Sequence, residues 1–124
     1  MAVPKKYAHI NFKPTQAMAR NAERGLRYRQ EAGGGGLTPQ EAGRQNIGSG
    51  VSRAVQLKYR RNVSPDTVRR MVAFFARHER NARVAPGKDP SKDKGFISWL
   101  LWGGDEGFAW ARRIVRAMDK ADKG

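Results

Sequence analysis

The chain is 124 residues long and carries 25 Lys and Arg against 11 Asp and Glu, a net charge of +14, with no cysteine. That length holds one compact domain. Lack of cysteine removes disulfides, thiolate metal sites and thiol nucleophiles, and fits a reducing cytoplasm. No apolar run reaches the ~20 residues of a membrane span, and MAVPKKYAHINF has no apolar stretch long enough for a signal peptide. A fold with this much charge of one sign repels itself and calls for a partner that neutralises it. Nucleic acid ranks first, before an anionic membrane surface and an acidic protein.

Residues 1–13 mix Lys5 and Lys6 with Tyr7, Ile10 and Phe12, which reads as an extended basic and aromatic N-terminal arm tacked onto a helical domain spanning 14–122. Pro14 is suited to the first position of a helix, where its missing N–H costs nothing. Met18, Ala22 and Leu26 follow at four-residue spacing as an apolar stripe. Gly33 to Gly36 ends that helix as a flexible joint. It lacks the preceding strand and the Gly-Lys-Ser/Thr of a phosphate-binding loop. Thr38-Pro39-Gln40-Glu41 reads as a capping box that starts a short helix, closed by the turn Asn46 to Gly50.

Val51, Ala54, Val55 and Leu57 predict a third helix to about Arg61. Ser64-Pro65-Asp66 starts a fourth, with a cap, a proline and an acid at the positive end of the helix dipole. Val68, Met71, Val72 and Phe75 form its core stripe. Residues 80–94 read as a polar loop. Phe96 to Trp102 predicts a short apolar helix, and Gly103-Gly104-Asp105 a turn with Asp105 as N-cap of a last helix from about Glu106 to Lys120. No segment alternates like a strand. The expectation is an all-α, single compact domain of five to six helices.

Between Arg44 and Arg83 lie ten cations, nine of them Arg, opposed only by Asp66 and Glu79. Arginine's planar fork pairs with phosphates and guanine edges. On the Pro65 helix, Arg69, Arg70, Arg77 and Arg80 fall on or beside the side away from the core stripe. A solvated face normally mixes signs, and this one hardly does. Val51–Arg61, a brief turn at Asn62-Val63 and the helix from Ser64 together look like a helix-turn-helix-like pair whose second helix meets the major groove with its N-terminal residues. The residues expected on nucleic acid are therefore Arg53, Lys58, Arg60, Arg61, Ser64, Thr67, Arg69, Arg70, Arg77 and Arg80.

Three Trp and one Phe lie between Trp99 and Trp110. They suit a base-stacking platform, but large aromatics on apolar helices are usually core, and packing is the favoured reading, with one Trp partly exposed. Chemistry is sparse elsewhere. His9 and His78 are the only histidines, and His78 reads as a helix-surface or cap residue. Ser49, Ser52 and Ser64 lack an evident base. No spacing suits a metal. No catalytic residue, metal or cofactor is expected, and the chain is not read as an enzyme.

Arg70-Met71-Val72-Ala73-Phe74-Phe75-Ala76-Arg77-His78-Glu79 (RMxxFFxRHE) and Trp99-Leu100-Leu101-Trp102-Gly103-Gly104-Asp105 with Gly107 and Trp110 (WxLWGGDxGxxW) resemble a small helical domain of tailed bacteriophages, cyanophages included. There it stands alone or is joined to other phage proteins, some from the head-assembly module. With the Gly-rich stretch and Gln45 to Gly50, the likeness spans roughly residues 14–118. It implies a phage origin and a shared fold, and supplies no catalytic residues. Placement in the cytoplasm of an infected bacterium, or in the virion, follows from the resemblance. The expected function is that of a basic DNA-binding protein, with duplex favoured over RNA and no membrane partner. The alternative is a virion or head-associated structural protein, or a host-interaction protein, docking on an acidic phage or host protein.

Overall fold

The computed structural model describes residues 3–31 and 50–124. The expected glycine joint, the Thr38 capping box with its short helix and the Asn46 turn lie outside the described residues. Among the described residues there are five α-helices and no strand: α1 (Gln16–Glu31), α2 (Gly50–Lys58), α3 (Pro65–Arg77), α4 (Lys94–Leu101) and α5 (Gly104–Lys123). Short 3-10 turns occupy Lys5–Tyr7, Glu79–Ala82 and Pro90–Lys92; the second overlaps the start of the stretch 80–94 expected as a polar loop, and the third lies within it.

α1 is the hub. It packs on α2, α4 and α5, while α3 lies chiefly on α5. The stripe that begins Met18, Ala22 is buried, and one turn on it is Gly25, not Leu26, that is fully enclosed. A Cβ on Gly25 would stand only 3.0–3.1 Å from Leu100 and Leu101 atoms of α4, so the bare backbone sets how closely the two helices cross. Pro14 does not open α1. Thr15 stands between them, and its hydroxyl accepts from the Met18 N–H at 3.2 Å, so Thr15 performs the capping that frees the first-turn amide.

α2 ends at Lys58, three residues short of the expected Arg61, because Arg60 adopts a left-handed backbone with φ 52°. α3 begins as its sequence dictates: Ser64 is N-cap with its Oγ accepting from Thr67 N–H at 3.1 Å, and Pro65 follows. Val68, Met71 and Phe75 are fully buried, and Val72 packs at the edge of the core. The six residues 59–64 join α2 to α3, longer than the three or four of a helix-turn-helix. Because α2 leans mainly on α1 and α3 on α5, the pair is consecutive in sequence without being a packed unit of its own.

The last two helices turn through Gly103 and Gly104, both with left-handed φ (114° and 67°). Asp105 is not the cap of α5, which Gly103 starts without a side-chain cap. Its carboxylate instead accepts from Trp99 Nε1 at 2.9 Å and from Arg83 at 2.9 Å, which satisfies the indole N–H of a ring that is 2 % exposed. Trp99 and Trp110 are core and Trp102 is half-buried, so the aromatic cluster is mainly packing, as its composition implies.

The described part of the arm lies on the domain, held at two points. Tyr7 and Phe12 enter the core, the Tyr7 hydroxyl donates to Asp122 at 2.7 Å, and the Phe12 carbonyl accepts from Val63 N–H at 3.0 Å.

Candidate nucleic-acid interface

The cationic stretch splits into three groups once folded. The first surrounds an aromatic stack between α3 and the α4–α5 turn. Phe74 lies on Trp102 with ring centroids 4.5 Å apart and planes within 10°, and His78 contacts Phe74 at 4.8 Å. Arg53 of α2 reaches over the Trp102 ring at 5.7 Å, and its Nη1 donates to Gln56 Oε1. Its Nε is buried with no hydrogen-bond partner. Burial holds the Arg53 guanidinium below the ordinary arginine range, and the charge of Arg70 pushes it further the same way. Since a guanidinium does not deprotonate in proteins, the shift records desolvation and like-charge repulsion between α2 and α3. Arg70 and Arg77, seven residues apart and so on one face of α3, are exposed, with no carboxylate within ion-pair distance among the described residues. Arg80 is exposed on the 3-10 turn that follows.

The second group is built on Tyr59. This ring is 60 % exposed and, with Val3, is one of the two exposed large hydrophobic side chains among the described residues. Lys58 Nζ and the Arg61 guanidinium lie over it at 5.5 and 5.4 Å. The ring was not among the residues expected on nucleic acid. Its signal is its setting, a lone aromatic inside Lys58-Tyr59-Arg60-Arg61, which a count of charges alone passes over.

The third group has other work. Arg69 pairs with Asp119 at 3.2 Å and Asp122 at 3.4 Å on α5. Donation to the Tyr7 hydroxyl oxygen and then to Asp119 holds it above the usual arginine value. Arg60 leaves the α2–α3 surface, and its Nε donates to the Pro14 carbonyl at 2.9 Å. Ser64 and Thr67 spend their hydroxyls on each other at 2.8 Å while Ser64 caps α3. These four expected contact residues hold the fold in place. The structure brings together Arg53, Arg70 and Arg77 around the Phe74–Trp102 stack, and Lys58 and Arg61 around Tyr59.

Among the described residues, no cluster of three His, Asp or Glu is placed to hold a metal, and no helix is long and apolar enough to cross a membrane. A cleft of about 350 Å³ beside Asn21, Arg24 and Phe96 carries Asp105 and Glu106, but Asp105 is engaged by Trp99 and Arg83, and Glu106 accepts from Asn21 at 2.7 Å.

No protein-family model, no curated protein and no solved structure matches the chain. The strings Arg70–Glu79 and Trp99–Trp110 meet in space: Phe74 of the first stacks on Trp102 of the second, and Phe75 meets Trp99 edge-on at 4.8 Å. Together they form one packing unit, a scaffold on which the Arg70–Arg77 face is mounted.

Proposed function

We propose that this is a basic DNA-binding protein of phage type, acting in the host cytoplasm or in the particle, that grips the duplex mainly through its phosphates. One observation carries the reading: Arg53 and Arg70 come from different helices to the same patch, neither has a carboxylate within ion-pair distance among the described residues, and repulsion from Arg70 adds to the burial that holds Arg53 below the ordinary arginine range. A phosphate group placed there removes that repulsion and supplies acceptors for both forks. Nature tolerates uncompensated cations where a bound anion completes the site.

Arg53, Lys58, Arg61, Arg70, Arg77 and Arg80 offer about six phosphate contacts, so affinity falls roughly a thousandfold between about 50 and 200 mM salt. Electrophoretic retardation of a duplex across that range reads the slope. Arg70→Glu combined with Arg77→Glu lowers it by about 2 and weakens binding uniformly across sequences. Retardation indifferent to both salt and these substitutions overturns the proposal. Loss of all duplex binding at low salt, with the basic face intact, transfers that face to an acidic phage or host protein.

A further inference from the structure

Arg60 is the one non-glycine residue with a left-handed φ among the described residues, 52°, and it closes the end of α2, where the Arg61 N–H reaches back to the Gln56 carbonyl at 3.1 Å. The Arg60 Nε donates to the Pro14 carbonyl at 2.9 Å, and the residue lines a cleft of about 370 Å³. Three distant stretches close that cleft: the arm from His9 to Lys13, the start of α1, and the α5 face that bears Trp110 and Arg113.

The lining has a definite chemistry. Lys13, Arg60 and Arg113 give it three cations, His9 adds a ring nitrogen donor or acceptor, and no Asp or Glu lines it. Lys13 and Arg113 are exposed and have no ion-pair partner among the described residues. The lining also has an apolar part, from Trp110 and Ile114, whose side chains are otherwise core. A lining that combines three cations with Ile10, Trp110 and Ile114 suits a ligand with an anionic head and a flat or apolar body. The volume lies near the small end of the ligand-pocket range, so it suits a single such unit and not a length of strand.

We infer that the cleft between the arm, the start of α1 and α5 binds a phosphate-bearing ligand of mononucleotide size, with Lys13, Arg60 and Arg113 on the phosphate and Trp110 against the body. The ligand is either a free nucleotide or the phosphorylated end of a nucleic-acid strand. This site is separate from the Arg53–Arg70 patch and does not depend on it. Phosphate recognition by a fork and two ammonium or guanidinium groups follows the ordinary pattern of charge-assisted hydrogen bonding.

Isothermal titration of the full chain with inorganic phosphate, adenosine, adenosine monophosphate and a short single strand with and without a 5′-phosphate tests it. The expected result is one saturable site for the monophosphate, at least about tenfold weaker binding of adenosine, and a matching loss in Lys13→Ala with Arg113→Ala. Arg60→Gly, which suits the left-handed backbone while removing the guanidinium, weakens the monophosphate as well. Arg70→Glu with Arg77→Glu leaves it unchanged, so failure here and failure of the duplex reading are told apart. If the phosphorylated strand binds more tightly than the monophosphate, the source is a strand end; if the monophosphate binds more tightly than the strand, it is the free nucleotide. Absence of saturable binding for every phosphate-bearing probe overturns the inference. So does binding that survives the Lys13 and Arg113 substitutions.

Discussion

Arg69 and Arg70 are neighbours in sequence with opposite assignments. Arg69 turns toward α5 and meets Asp119 and Asp122, while Arg70 turns toward Arg53 and meets no acid. Exposed ion pairs are weak one at a time, but here two carboxylates and the Tyr7 hydroxyl converge near one guanidinium that joins α3, α5 and the arm. Arg69→Glu sets three negative groups together at that junction. The expected outcome is a lower urea midpoint with duplex affinity changed by less than about twofold, against about tenfold for Arg70→Glu with its midpoint unchanged. Parallel denaturation and retardation curves on the two variants check it. A fall in affinity for Arg69→Glu as large as that for Arg70→Glu, at unchanged stability, contradicts the division of labour.

At the level of elements, the firmest readings are those in which cause and effect lie within one turn. Ser64 caps α3 through its own neighbour Thr67, so the start of that helix is visible in Ser64-Pro65-Asp66, and the stripe of Val68, Met71 and Phe75 announces its inner face. Ser64→Ala removes the acceptor for Thr67 N–H and lowers stability by about 1 kcal/mol, read from the shift in denaturation midpoint at constant slope. Ser64→Asp restores most of it, since the acceptor returns at the positive end of the helix dipole. Asp105 shows the opposite case. In sequence it stands where an N-cap belongs, yet Gly103 takes that place in a left-handed conformation and Asp105 is drawn to the Trp99 indole and to Arg83. Cap or packing partner is decided by the fold of the Gly103-Gly104 turn. The same holds for the cationic face: its helix and orientation are legible locally, but the acids that claim Arg69 lie 50 and 53 positions away. The cleft around Arg60 is less legible still, because its walls come together only when the arm, α1 and α5 are assembled.

Across the whole molecule, few carboxylates face many cations, and the few are heavily used. Asp122 is held below its ordinary 3.8 by the Tyr7 hydroxyl and then by Lys6. The backbone amides of Ala85 and Phe96 hold Asp93 below its own ordinary value, and Ser91 does the same for Asp89. A depressed carboxylate stabilises the fold above its unfolded value and loses that contribution as pH falls through its folded one. Lys6, raised above 10.5 by Asp122, contributes below that value and loses its share only as pH climbs beyond it. Stability is therefore expected to stay level between about pH 5 and 10 and to fall below about pH 4, where the 25 cations also lose their opposing charge. Asp122→Asn shallows the acid limb and leaves the part due to Asp93. Thermal unfolding followed by circular dichroism from pH 2 to 8 measures both, and an unaltered acid limb in the variant removes Asp122 from the account.

The clasp between Tyr7 and Asp122 also governs the order in which this chain is able to complete itself. The two residues are separated by 115 positions, and the arm's other anchor, the Phe12 carbonyl, waits for Val63. At about 5–20 residues per second, some 6–23 s pass on a ribosome between the emergence of the first partner and the last. Phe12 lacks its partner only until Val63 has emerged, whereas Tyr7, beside Lys5 and Lys6, waits for Asp122 through the whole interval. The arm is thus made before either of the segments that hold it, and its second anchor completes the clasp only when α5 is in place.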